Sequence, residues 1–168
     1  MPVDAYPPEA IVKQMGTVLW DVDERLSCEI GRDEDLSEVT ISANGIVEAF
    51  PAVERLVSAA PEMPGWKVTA FRQPDPMTQA VKVGAVRVAR EDVFFQLGRV
   101  GNRVTGLAFV RAPAGTSDQA AGRAMFLLLD AALGEYVAAT RVEIRGFDVV
   151  EKVDPAWVPL RELAALLS

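Results

Sequence analysis

The sequence predicts an α+β fold, with a mostly antiparallel sheet and with helices packed mainly on one face. Segments with strand periodicity are joined by short turns, whereas helical segments fall in blocks and do not follow every strand. A chain of 168 residues with a hydrophobic fraction of 50% can bury a substantial core. We therefore expect a single α+β domain over residues 1–168.

The first quarter of the chain predicts a helix and then a strand. Pro8 suits the first turn of a helix over residues 8–24, where apolar side chains recur at helical spacing. Residues 26–30 alternate between apolar and polar side chains, as in a strand with one buried face. Cys28 lies on the apolar side of that strand, which predicts a buried thiol. As the single cysteine of the chain, it cannot form an internal disulfide.

The following segment contains the clearest turn signal. Residues 38–43 alternate between polar and apolar side chains, and Asn44 and Gly45 follow them. Both residues tolerate positive φ, which a two-residue hairpin turn requires at both positions. We therefore predict a return strand over residues 46–49.

A proline decides where the next helix is predicted to begin. A helix starting at Ile46 would place Pro51 in its interior, where the ring clashes with the carbonyl four residues back. At the first helical position the same ring costs almost nothing. We therefore predict a helix over residues 51–60 and a strand over residues 66–72, with Trp66 in the core.

The remainder of the chain predicts one more strand-rich block with three helical segments. Phe94 and Phe95 adjoin on one strand, so one of them must face away from the main core, towards a helix or an interface. The strand that follows has apolar residues on both faces, which is typical of a central strand. The segment before Asp92 is expected to be an amphipathic connector, and Pro155, Trp157 and Pro159 mark a loop. We predict strands at 80–83, 93–98, 104–111 and 141–150, and helices at 118–133, 134–139 and 160–167.

Charge and hydrophobicity restrict the classes of partner. The net charge is −7, and the whole excess lies in residues 1–38, which carry ten acidic and three basic side chains. Nucleic-acid binding is disfavoured, because phosphate contacts need a basic surface. Apolar runs are too short to cross a bilayer and the start of the chain lacks the pattern of a secretory signal, so we predict no membrane partner and a cytoplasmic location. The acidic region either promotes solubility or docks a basic partner or a cation.

The residue inventory predicts no catalytic centre, no metal site and no cofactor. The chain has no histidine, so the usual general base near neutral pH and the commonest transition-metal ligand are missing. The glycines at 98, 101 and 106 lie in a hairpin and not between a strand and a helix, so a phosphate-binding loop is not expected.

Three charged residues are the candidates for a ligand site. Asp130 interrupts a nearly apolar helix, where an unpaired charge is costly, and Glu135 follows after a glycine. Asp130 either pairs with an arginine (Arg72, Arg141 or Arg145) and fixes the helix against the sheet, or lines a polar pocket together with Glu135 and Arg72. The sequence leaves both alternatives open.

Several motifs resemble a group of bacterial proteins that are classed only as domains of unknown function. The resemblance covers about residues 15–150, and its marks are TISANG, FPAVERLV, an AP…GW pair and LDAALGEY. It implies no activity, cofactor or site residue. It is similar in pattern to small acidic intracellular bacterial proteins, some of which act as binding or immunity-type partners.

Two functional hypotheses follow. The first is a non-catalytic protein-interaction module that binds a protein partner or forms a homodimer. The second is a small-ligand-binding protein or enzyme whose cleft is lined by Arg72, Asp130 and Glu135.

Overall fold

The chain forms an α+β fold, as predicted. The computed structural model describes residues 8–33 and 36–168. It divides into two compact units, the first ending at Arg72 and the second beginning at Gln73. Within the described ranges, four of the six strand pairs are antiparallel. The prediction of a single domain over residues 1–168 stays a prediction.

The first unit is a small three-stranded sheet with two helices. Its elements are α1 (Pro8–Val22), β1 (Ser27–Asp33), β2 (Leu36–Ser42), α2 (Phe50–Ser58) and β3 (Trp66–Ala70). β1 and β2 are antiparallel, whereas β2 and β3 are parallel and are connected through α2. Cys28 is buried on β1, as predicted, and Trp66 is half-buried at the start of β3. Glu34 and Asp35, two of the acidic residues of the first quarter of the chain, lie outside the described residues.

The predicted return strand at residues 46–49 is wrong. Asn44 and Gly45 do have positive φ, at 53° and 77°, but the chain then enters a 3-10 turn over Val47–Ala49 and continues directly into α2. Ala49 and Phe50 are both buried, which neighbouring residues of a strand with one covered face could not be. In a 3-10 turn the backbone hydrogen bonds join residues three positions apart. The helical path can therefore begin before Pro51 without the clash expected in an α-helix interior.

The second unit contains two sheets and three helices. Its sheets have the strand orders β4-β5 and β8-β7-β6-β9. The segment before Asp92, which was predicted to be a connector, contains the second strand of a hairpin. A short ninth strand, which was not predicted, follows the predicted strand at 141–150 and pairs with β6. The elements are β4 (Ala80–Val83), β5 (Val86–Ala89), β6 (Val93–Val100), β7 (Arg103–Arg111), α3 (Asp118–Leu133), α4 (Glu135–Arg141), β8 (Val142–Val150), β9 (Val158–Pro159) and α5 (Leu160–Leu166).

The core of the second unit lies between α3 and one face of the four-stranded sheet. Phe95, Met125 and Leu128 are fully buried there, together with Leu160 and Leu163 of α5. α3 begins where predicted, because the Ser117 hydroxyl accepts a hydrogen bond from the backbone N–H of Ala120. Helices therefore cover this face of the sheet, and β7 is a central strand, as its two apolar faces predict.

The opposite face of the four-stranded sheet carries a second aromatic group. Phe94 pairs in register with Phe109, so both side chains project away from the face that carries Phe95. This confirms that one of the two adjacent phenylalanines points out of the main core. Phe109 is nevertheless buried, because Trp157 from the segment after β8 lies against its ring.

Candidate functional site

A cleft of about 760 Å³ opens on the outer face of the second unit's four-stranded sheet. It lies between the β6–β7 hairpin, the segment that precedes β9, and the start of α5. Its volume falls within the range of known ligand pockets. Twelve residues line it: Gln79, Arg90, Glu91, Phe94, Arg111, Val153, Asp154, Pro155, Trp157, Pro159, Arg161 and Glu162.

Trp157 provides the aromatic wall of the cleft. Its ring is stacked on Phe109 with a centroid distance of 3.8 Å and an interplanar angle of 2°. A turn positions the main chain of Trp157, because its backbone N–H donates to the carbonyl of Asp154 at 3.0 Å. The Asp154 carboxylate accepts from the N–H of Ala156 at 2.8 Å within the same turn. The carboxylate and the indole are thus presented by one ordered segment.

Arg111 forms the wall beside Phe94. Its guanidinium carbon lies 5.8 Å from the centre of the Phe94 ring, within the range of a cation–π contact. The Nε and NH2 groups of Arg111 both donate to Oδ1 of Asp92, at 3.0 and 2.7 Å. A carboxylate of the protein itself therefore neutralises this arginine, which orders the wall and lowers its attraction for an external anion.

Arg90 is held by backbone oxygens. It donates to the carbonyls of Thr78 at 2.6 Å, of Asp75 at 2.6 Å and of Ala131 at 2.9 Å. Ala131 lies in the last turn of α3, where the helix dipole favours a positive charge. Arg90 therefore fastens the loop before β4 to the end of α3.

The rim of the cleft carries charges of both signs. Arg161 on α5 has a side chain that is 75% exposed, and its Nε lies 3.6 Å from Oε1 of Glu162. Exposed pairs of this kind contribute little to stability. Glu91 and Asp154 are also exposed. The cleft therefore has an aromatic and arginine wall and an exposed rim of mixed charge.

The three residues predicted from the sequence lie elsewhere. Arg72 is the last residue of the first unit. Its Nε donates to Oε1 of Glu29 at 2.6 Å, and its NH2 donates to Oδ1 of Asn44 at 3.1 Å. Asp130 is half-buried on α3, and Glu135 is 0% exposed at the first residue of α4. Each of the three has further interactions. Their role in ligand binding stays a prediction.

The carboxyl groups with perturbed pKa values are held in their ionised form. The Thr78 hydroxyl and the N–H of Met77 lower the pKa of Asp75, and hydrogen bonds from Arg25 lower that of Asp23 to about 2. A general acid or base needs a pKa near the working pH, which these shifts oppose. Among residues 8–33 and 36–168, no cluster of three potential metal ligands occurs.

Sequence reasoning missed Arg111 and Trp157 as site residues. It recognised the proline-marked loop that contains Trp157 and the outward phenylalanine at Phe94 or Phe95. The position of Trp157 in a loop that contains Asp154 and Pro155 predicts that its side chain is at least partly exposed. The stacking on Phe109 could not be inferred, because it joins residues nearly fifty positions apart.

Comparisons with known proteins add no functional assignment. No protein-family model matches the sequence, and neither a curated protein nor a solved structure matches the chain. The resemblance to bacterial domains of unknown function stays a prediction. Of the helices that the structure describes, none is long and apolar enough to cross a membrane.

Proposed function

We propose that this protein is a non-catalytic, cytoplasmic interaction module whose cleft binds an extended segment of a partner protein. The observation that carries the proposal is the wall formed by Trp157 on Phe109, next to Arg111 over Phe94. Tryptophan and arginine in ordered positions are the residues that most often dominate binding energy at protein interfaces.

The composition of the cleft favours a peptide over a small molecule. Small-molecule pockets are mostly apolar, with a few polar groups. Here seven of the twelve lining residues are polar or charged, and the apolar ones are aromatic, proline or valine. An apolar centre with a charged rim is the usual anatomy of a protein-interaction surface.

The free edge of β8 is a less suitable interaction surface. β8 is a nine-residue edge strand, but its register with β7 shifts between Gly106 and Leu107. The extra residue on β8 is Arg145, which leaves Ile144 and Gly146 paired with consecutive residues of β7. A bulge and an exposed charge on an edge strand discourage pairing with another strand. We therefore place the partner in the cleft and not along this edge.

Selection from a library of random linear peptides displayed on phage tests the proposal. The immobilised full chain should enrich related peptides, and a synthetic version should shift the backbone amide NMR signals of residues that line the cleft. Trp157→Leu should weaken its binding by at least about tenfold, because truncated hot-spot residues commonly cost 2 kcal/mol or more.

Trp20→Leu is the matched control. Trp20 is 63% exposed on α1 and does not line the cleft, so its loss should leave peptide affinity unchanged. Both variants should first be shown to keep the wild-type circular dichroism spectrum and thermal unfolding. If no peptide is enriched, or if bound peptides shift amides away from the cleft, the proposed function is wrong.

A further inference from the structure

We infer that the segment bound in the cleft presents a lysine or arginine side chain, which stacks on Trp157 and pairs with the carboxylate of Asp154. This inference rests on the proposed function and specifies the chemistry of the partner at the same site.

The indole of Trp157 is suited to receive a cation. One of its faces is covered by Phe109, whereas the residue as a whole is half-buried and lines the cleft. The cleft therefore exposes the opposite face or edge of the ring. Tryptophan attracts a cation above its face more strongly than the other aromatic residues do, and stacking on Phe109 already holds the ring in one orientation.

Asp154 supplies the anion in the same turn. Its Oδ1 accepts from the N–H of Ala156, and its carbonyl accepts from the N–H of Trp157, so the carboxylate is ordered before any ligand arrives. Its side chain is nevertheless exposed. Within the described ranges, neither Asp154 nor Glu91 belongs to an ion pair. Two carboxylates of the cleft are therefore available to an incoming cation.

The arginines of the cleft are less available to an incoming anion. Asp92 already neutralises Arg111. Arg90 donates to three carbonyl oxygens, one of them at the negative end of α3. Arg161 remains, but its side chain is largely exposed and lies beside Glu162. An anionic ligand would have to compete with these existing partners, whereas a cationic ligand at Asp154 would displace no ion pair formed by the described residues.

The peptide selection described above also tests this inference. The enriched peptides should share a lysine or arginine at one fixed position, and replacing it with glutamine should weaken binding by roughly five- to thirtyfold. Asp154→Asn should weaken binding of the original peptide. The change in the peptide and Asp154→Asn together should weaken binding by less than the product of their separate effects, since they break the same interaction.

Glu151→Gln is the control for general electrostatics. Glu151 is exposed, lies three residues before Asp154 and does not line the cleft, and its substitution removes the same charge. At physiological salt it should change affinity by less than about twofold, because an exposed charge outside the cleft is screened from the ligand by salt. Equal effects of the two substitutions would overturn the inference.

The remaining outcomes separate this inference from the proposed function. Enriched peptides that bind the cleft but lack a basic residue, or that carry an acidic residue at the shared position, would overturn the inference and leave the cleft as a peptide site. Failure to enrich any peptide would overturn both.

Discussion

Gly106 on β7 is a position where even a substitution by alanine is expected to destabilise the fold strongly. A Cβ built on Gly106 would lie 2.0 Å from the backbone oxygen of Gln96 on β6, and 3.0 Å from its carbonyl carbon. Ordinary contacts begin at 3.4 Å, and the obstructing atoms belong to the backbone. Gly106→Ala can therefore be accommodated only if the two strands move apart by roughly 1 Å or more.

The cost follows from what such a movement disrupts. Overpacking a core region typically costs about 1–3 kcal/mol, and each weakened ladder hydrogen bond adds about 0.5–1.5 kcal/mol. We expect Gly106→Ala to lower the free energy of unfolding by about 3–5 kcal/mol. A typical domain has only about 5–15 kcal/mol in total, so the variant should be marginally stable.

Equilibrium unfolding in urea, followed by circular dichroism, measures this loss. With a slope of about 2 kcal/mol per molar urea, the midpoint should fall by roughly 2 M. Gly98→Ala is the matched control on β6, because its Cβ would lie 4.0 Å from the nearest atom, the backbone oxygen of Thr105. That variant should stay within about 1 kcal/mol of wild type. Similar midpoints for the two variants would refute the close approach of β6 and β7 at Gly106.

Three further predictions concern the core, a helix cap and an ion pair. Leu128→Ala should lower the free energy of unfolding in urea by about 2–5 kcal/mol, because Leu128 is fully buried against the sheet. Ser117→Ala should cost about 1 kcal/mol in the same assay, since it removes the N-cap of α3. Asp23→Asn should lower the thermal midpoint at neutral pH, and the difference from wild type should shrink as the pH falls from about 4 to about 2. The Arg25 side chain and N–H lower the folded-state pKa of Asp23 from 3.8 to about 2, so its stabilisation is present above 3.8 and is lost as pH falls through 2.

Each of these predictions has a control within the chain. Leu166→Ala should cost less than about 1 kcal/mol, because Leu166 is 38% exposed. Ser117→Asp should retain the stability of α3, since aspartate is an equally good N-cap. Exposed Asp21, two residues before Asp23, gives the comparison Asp21→Asn, which removes the same charge and leaves the contact between Asp23 and Arg25 in place. A pH-independent difference between Asp23→Asn and wild type would contradict the role assigned to the Arg25 contact.

Local signals in the sequence were sufficient for the elements whose boundaries depend on neighbouring residues. The cap at Ser117 and the conformational break at Gly134 delimit α3 where the prediction places it. Alternation along residues 93–111 predicts the β6–β7 hairpin, and the adjacent Phe94 and Phe95 predict an apolar group on the outer face. These signals depend on only a few neighbouring residues, so they can be recognised in the sequence without knowledge of the fold.

The same local reasoning was wrong where a distant contact decides the conformation. After Asn44 and Gly45, both a return strand and a helical turn are compatible with the local sequence. Burial of Ala49, Phe50 and Val53 on one helical face favours the turn, and β2 then pairs in parallel with β3. The pairing partner of β2 lies beyond α2, and no local pattern contains that information.

The amino-acid sequence alone was enough to predict the α+β class, most of the helix and strand positions, the buried thiol of Cys28 and the acidic character of the chain. Period, capping residues and charge are properties of short segments, which explains why they can be recognised directly. The strand pairs other than the β6–β7 hairpin, and the side chains that meet at the cleft, depend on the tertiary structure. Trp157 reaches Phe109, and Arg111 reaches Phe94, because β7 pairs with β6 and the segment after β8 folds back across the sheet. Such contacts join residues far apart in the chain, and they are selected by the packing of the whole unit.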